Sequence, residues 1–261
     1  MVQGDIRAAS RLLTLVQERS PQARAALARL PSAPSPPRVI GVTGAPGVGK
    51  SLLVDRLVNE FRQRGLRVGV LAVDPSSPVS RGALLGDRIR MRSHFTDAGV
   101  FIRSVATRGA AGGIPVTVIR ESIRVMEAMG MDLVIVETIG VGQDQIAVAS
   151  VADTVVGIFT PAAGDEIQML KSGLQEVADL WVVNKSDLPG AEQVARELAE
   201  SQENGNRVPI LQVSALRETG IRRLAELLLG EPNERRRRRK GNGWLGKVAT
   251  NRQVGRRKGA P

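Results

Sequence analysis

Seven short apolar runs punctuate the chain, at 38–43, 67–73, 99–105, 133–136, 154–159, 180–183 and 208–213, and most are separated by stretches with helical spacing. Runs of this length, rich in Val and Ile, suit strands buried on both faces. With helices between them they predict an α/β fold, a mostly parallel sheet with helices on both faces. Ahead of the first run, Ile6, Leu12, Leu13, Val16, Leu27 and Leu30 recur at roughly helical spacing between Asp5 and Leu30. Pro31-Ser32-Ala33-Pro34-Ser35-Pro36-Pro37 then reads as a stiff linker. The pattern therefore predicts a helical arm and linker over 1–37, one domain over 38–230, and a basic, mostly disordered tail over 231–261. No repeat of fixed period is visible.

The first run, Arg38 to Thr43, enters Gly44-Ala45-Pro46-Gly47-Val48-Gly49-Lys50-Ser51, and Leu52 to Arg64 reads as a helix leaving it. Strand, glycine loop and helix in this order are the context of a phosphate-binding P-loop. A triphosphate needs many donors and little steric bulk near the backbone. Gly44, Gly47 and Gly49 let successive N–H groups turn inward, and the helix N-terminus adds its positive end. Lys50 is expected to reach the β- and γ-phosphates, and the Ser51 hydroxyl to be one oxygen ligand of Mg²⁺. The residues of the loop, from Gly44 through Val48 to Leu52, are candidate nucleotide contacts.

A second pattern follows the run Leu180-Trp181-Val182-Val183: Asn184-Lys185-Ser186-Asp187. A carboxylate only accepts hydrogen bonds, and guanine presents two donors side by side, N1–H and the N2 amine, which adenine does not. Asp187 is thus the candidate base selector, Asn184 a brace between loops, and the Lys185 stem a cover for the purine face. Ser214-Ala215-Leu216, after the strand Ile210 to Val213, is where a guanine O6 would meet a backbone N–H. At ordinary residue frequencies the two patterns coincide by chance in roughly a few chains per ten thousand. The ligand they predict is GTP or GDP with Mg²⁺.

Composition narrows the setting. The chain has 261 residues, 42% of them hydrophobic, enough for one domain with appendages. It has no cysteine and a single histidine, His94, so neither a disulfide framework nor a thiolate or histidine metal cluster is available; His94 is expected at the surface. Charged residues interrupt the aliphatics of 1–30, and no apolar stretch is long enough to span a bilayer, which predicts a cytoplasmic protein without membrane contact. The net charge of +11 is concentrated in residues 231–261, where eleven Lys or Arg face two Glu. The body is close to neutral, so nucleic acid is not an expected partner except through that tail.

Between the two motifs lie segments suited to hydrolysis. Asp74 closes a strand in Ala72-Val73-Asp74-Pro75-Ser76-Ser77-Pro78. Glu137 closes another in Glu137-Thr138-Ile139-Gly140-Val141-Gly142-Gln143, where it replaces the aspartate of the common DxxG box. Glu137 is a candidate Mg²⁺ ligand acting through water or through another ligand of the ion, and Gly140 keeps the N–H expected to meet the γ-phosphate. Small G proteins place a glutamine directly after that glycine. Here Val141 stands there, leaving Gln143 as the nearest candidate to orient water, so slow intrinsic hydrolysis is expected.

These segments, with Gly82 to Met91 (GALLGDRIRM), Pro161 to Gln168 (PAAGDEIQ) and NKSD, resemble the MeaB/ArgK family over roughly residues 38–230. The resemblance implies a SIMIBI-class, Mg²⁺-dependent GTPase that chaperones an adenosylcobalamin-dependent mutase of the methylmalonyl-CoA type, gating cofactor loading and protecting the enzyme. It implies that Asp74, Asp87 and Glu137 are the acidic groups around Mg²⁺, and that Ala163 to Gly173 responds to nucleotide or partner. The family's C-terminal helical arm, used for dimerisation, would have to begin within Glu231 to Lys240, so a homodimer is left open. Ala45 stands where MinD-type ATPases carry a second P-loop lysine, which argues against that subclass. Two alternatives stay open: a metallochaperone GTPase, disfavoured by the lack of Cys and His clusters, and an RNA-associated switch using the basic tail.

Overall fold

The seven apolar runs become seven parallel strands: β1 (Arg38–Gly44), β2 (Val68–Asp74), β3 (Val100–Ala106), β4 (Leu133–Thr138), β5 (Thr154–Phe159), β6 (Leu180–Val183) and β7 (Ile210–Gln212). The computed structural model describes residues 5–74, 94, 96–106, 115–138, 147–161, 177–202 and 207–230. Asp87, Gly140 and Gln143, the segment 162–176 and the basic tail lie outside them. The chain divides into two compact units, Met1–Leu229 and Gly230–Pro261, and of the second only Gly230 is among the described residues.

The sheet order is β3-β2-β4-β1-β5-β6-β7. After β1 the chain runs outward to β2 and β3, returns to β4, then crosses to β5 and continues the other way. The direction of winding thus reverses beside β1, and parallel sheets hold ligands at the carboxyl ends of strands at such a point. The register brings Glu137 of β4 opposite Val42 of β1 and Ala72 of β2, so this carboxylate arrives at the strand ends between the two.

The helices among the described residues are α1 (Ile6–Gln17), α2 (Pro21–Leu27), α3 (Lys50–Gln63), α4 (Val116–Ala128), α5 (Ala191–Glu200) and α6 (Ile221–Leu229). Helix α3 follows the glycine loop and buries Leu53, Val54, Leu57, Val58 and Phe61, a stripe at helical spacing. The stripe packs against Ile40 and Val42 of β1, Ile135 of β4 and, from α6, Leu224 and Leu228. Each such side chain contributes about 1.5–3 kcal/mol on burial, which fixes α3, and with it the loop, against the sheet.

The apolar spacing of 5–30 folds as two helices. Ser20 caps the second, with its hydroxyl accepting from the Gln22 amide, and Pro21 opens it where no N–H is needed. Helix α1 packs on α4 and β3, with Gln17 donating to the Ser104 carbonyl and Arg103 to the Thr14 hydroxyl. Arg124 of α4 donates to the carbonyls of Leu30 and Pro31, holding the start of the proline-rich linker.

Candidate functional site

The glycine loop and the NKxD segment meet directly. Gly47 and Gly49 take left-handed backbone conformations, with φ of 83° and 90°, which other residues adopt only at a cost. Gly49 needs its missing side chain for a second reason: a Cβ there would lie 2.6 Å from Asn184 Nδ2. Asn184 Nδ2 donates to the Val48 carbonyl at 2.8 Å, and its Oδ1 accepts from the Ala215 amide at 3.1 Å. One buried amide thus ties together the glycine loop, the end of β6 and the loop after β7. Lys185, itself left-handed at φ 58°, extends its ammonium to the Gly47 carbonyl at 2.9 Å.

At the other end of the loop, Lys50 is buried and its Nζ donates to the carbonyls of Gly44 and Ala45 at 2.9 and 2.8 Å. The Ser51 hydroxyl donates to Glu137 Oε1 at 2.8 Å, and Glu137 is 1% exposed. A hydroxyl and a carboxylate set side by side at the strand ends are hard oxygen donors of the kind Mg²⁺ accepts alongside phosphate. The donor set therefore fits that ion. Asp74 is the last residue of β2, paired through its backbone with Ala106. Its side chain, with Asp87, Gly140 and Gln143, lies outside the described residues. Among those residues no group of three or more His, Asp or Glu gathers as a metal cluster.

On the base side, the Ser214 hydroxyl donates to Asp187 Oδ1 and accepts from the Arg217 amide. That hydroxyl, foremost, holds the Asp187 carboxyl below the usual carboxylate range, so the group is fully ionised at neutral pH. The Ala215 amide, a candidate donor to guanine O6, is engaged by Asn184, while the Leu216 side chain is 66% exposed.

A model of the family described as methylmalonyl Co-A mutase-associated GTPase MeaB matches residues 9–258. The chain belongs to the MeaB family of GTPases. A Pyrococcus abyssi protein provisionally named a GTPase is 45% identical over 232 residues, 86% of this chain and 71% of that protein. The mouse mitochondrial methylmalonic aciduria type A homolog is 44% identical over 148 residues, 57% of this chain and 35% of that protein. Among solved structures, that of a LAO/AO transport system kinase is similar with a TM-score of 0.64 and 28% identity, covering 98% of this chain and 82% of that one. The family match extends ahead of residue 38, so α2 and most of α1 fall within the MeaB span.

One expectation is corrected. His94 is not a surface residue: it is 4% exposed, and its Nε2 lies 3.0 Å from Asp55 Oδ1 on α3. Burial is possible because Asp55 supplies the polar partner an imidazole needs away from water. Asp55 and Arg56 were also missed as neighbours of the site. The available signal was an Asp inside the apolar stripe of α3, one turn after Ser51.

No helix among the described residues is long and apolar enough to cross a membrane.

Proposed function

We propose that this MeaB-family GTPase is a nucleotide-dependent chaperone of an adenosylcobalamin-dependent acyl-CoA mutase of the methylmalonyl-CoA type. The observation that carries the nucleotide half is the Asn184 bridge, which holds the glycine loop and the Asp187 loop in one frame, the two ends that a single GTP would span. The mutase half is supported by the family description and by the relation to the methylmalonic aciduria type A homolog.

In this reading the amides of Gly47 to Ser51 and the N-terminus of α3 receive the phosphates. Lys50 exchanges the carbonyls of Gly44 and Ala45 for β- and γ-phosphate oxygens, placing its charge where negative charge builds during transfer. Ser51 and Glu137, with Asp74 and Asp87 completing the set, would hold Mg²⁺, which would supply neutralisation of phosphate charge. Glu137 fixes the Ser51 hydroxyl by accepting its hydrogen. Gly140 meets the γ-phosphate and Gln143 is the candidate to orient the attacking water. Asp187 pairs with the guanine N1–H and N2 amine; Ser214, Ala215 and Leu216 close over the base edge.

Because Val141 follows Gly140 where small G proteins carry glutamine, the isolated protein turns over slowly, and a partner completes the site by acting on the segments 74–92 and 137–145 or by bringing in Arg81 or Arg108. Steady-state GTP hydrolysis measured with and without a purified mutase tests this. Stimulation by the mutase of about tenfold or more supports it. Fast hydrolysis by the isolated protein, unchanged by any mutase, overturns it.

A further inference from the structure

Arg56 follows Ser51 by five residues on α3 and carries neither phosphate nor base in the reading above. Its guanidinium nonetheless reaches across to the base-side loop. Nε donates to the Ala215 carbonyl at 3.2 Å, and Nη1 lies 3.1 Å from Glu218 Oε1 and 3.8 Å from Asp55 Oδ2. Asp55 in turn is held by His94. The Arg56 side chain keeps 28% of its surface in water and Glu218 62%, so packing alone does not fix this geometry.

Two features show what the contact does. Ala215 is gripped on both sides: its amide donates to Asn184 and its carbonyl accepts from Arg56, so the peptides flanking this residue cannot rotate freely. Glu218 sits at φ 59°, a left-handed conformation costly for a residue with a side chain. It is maintained by the ion pair with Arg56 and by the two backbone hydrogen bonds between Ser214 and Thr219 that close the turn. The loop so closed carries Ser214, whose hydroxyl orients Asp187.

We propose that Arg56 is a positioning residue for guanine selection: from α3 it braces the 214–219 loop and thereby sets the angle at which Ser214 presents the Asp187 carboxylate. The proposal rests on the reading of Asp187 as the base selector. Through it, the helix that starts at the phosphate loop also governs the base loop. The donor geometry is specific to a guanidinium, because only a fork can serve the Ala215 carbonyl and the Glu218 carboxylate together.

The test compares Kd for GDP and for inosine diphosphate, which lacks the 2-amino group, in wild type, Arg56→Ala, Arg56→Lys, Glu218→Ala and Asp187→Asn. Arg56→Ala is expected to raise the Kd for GDP about five- to tenfold and that for inosine diphosphate less, so that the guanine-over-inosine ratio falls about threefold or more. A residue that merely stabilised the fold would shift both Kd values together. Arg56→Lys restores the ratio only in part, since it keeps the charge near Glu218 and loses the fork. Glu218→Ala, a change at an exposed side chain, lowers the ratio in the same direction and keeps the proposal testable if Arg56→Ala does not fold. An unchanged ratio in both Arg56→Ala and Glu218→Ala, with Asp187→Asn still abolishing guanine preference, overturns the role of Arg56 alone. An unchanged preference in Asp187→Asn overturns both the role and the reading it rests on.

Discussion

In the proposed site a single carboxylate, that of Asp187, decides between bases. Substituting Asp187→Asn presents an amide that pairs with the 2-oxo group of xanthine, and competition binding should show the preference moving from guanosine to xanthosine nucleotides by about a hundredfold or more. At the phosphate end, Glu137→Gln keeps the shape of the side chain and removes its charge. A Mg²⁺ titration of GTP hydrolysis should then reach half-maximum at about ten times the wild-type concentration or higher, as expected when a group that orients a metal ligand is lost. Lys50, Ser51, Asn184 and Asp187 were legible as a site because phosphate and base recognition demand fixed residue types at fixed short spacings. Glu137 was legible because it follows an apolar run at the carboxyl end of a strand. Arg56, Glu218 and His94 were not. Their partners stand 159, 162 and 39 residues away in sequence, and no local pattern records a contact made only when the sheet assembles.

Helix α3 is the element on which these contacts converge. Its first turn holds Lys50 and Ser51, its second carries Asp55 and Arg56, and near its end Arg62 forms a two-pronged pair with Asp97, Nε to Oδ2 at 2.9 Å and Nη2 to Oδ1 at 3.0 Å. His94 and Asp97, both on the approach to β3, thus dock on α3 at two levels. The Arg62 guanidinium, followed by the Gly99 amide, holds the Asp97 carboxyl below its usual value of 3.8. The stabilisation is therefore present above that value and is lost as pH falls through the lower value of the folded state. Both side chains keep a quarter to a third of their surface in water, so the pair contributes about 1 kcal/mol or less. Thermal melts of wild type and Asp97→Asn should differ by a constant small amount from pH 8 to 5 and converge below about pH 4. Element order was the most legible part of the fold, since every apolar run became a strand. The boundaries shifted by a residue or more, as at Gln212, where β7 ends short of the apolar run, because strand ends depend on which neighbour is there to pair. The split between α1 and α2 was marked by Ser20 and Pro21, a start signal inside an otherwise continuous apolar rhythm.

For the whole molecule, the family assignment gives a GTPase, and the sheet carries the candidate nucleotide loops at the carboxyl ends of parallel strands. What a GTPase of this family acts on is decided by surfaces that phosphate chemistry does not constrain, so the proposed partner rests on resemblance alone, whereas the guanine nucleotide was expected from motif physics. The most direct measurement of the central claim is capture of a purified adenosylcobalamin-dependent methylmalonyl-CoA mutase by the immobilised full chain, performed with GDP and with a non-hydrolysable GTP analogue in Mg²⁺ buffer. The account predicts capture whose extent differs several-fold between the two nucleotides and is lost in Asp187→Asn at the same guanine nucleotide concentrations. Equal capture in both nucleotide states, or none in either while the protein binds both nucleotides, would contradict it.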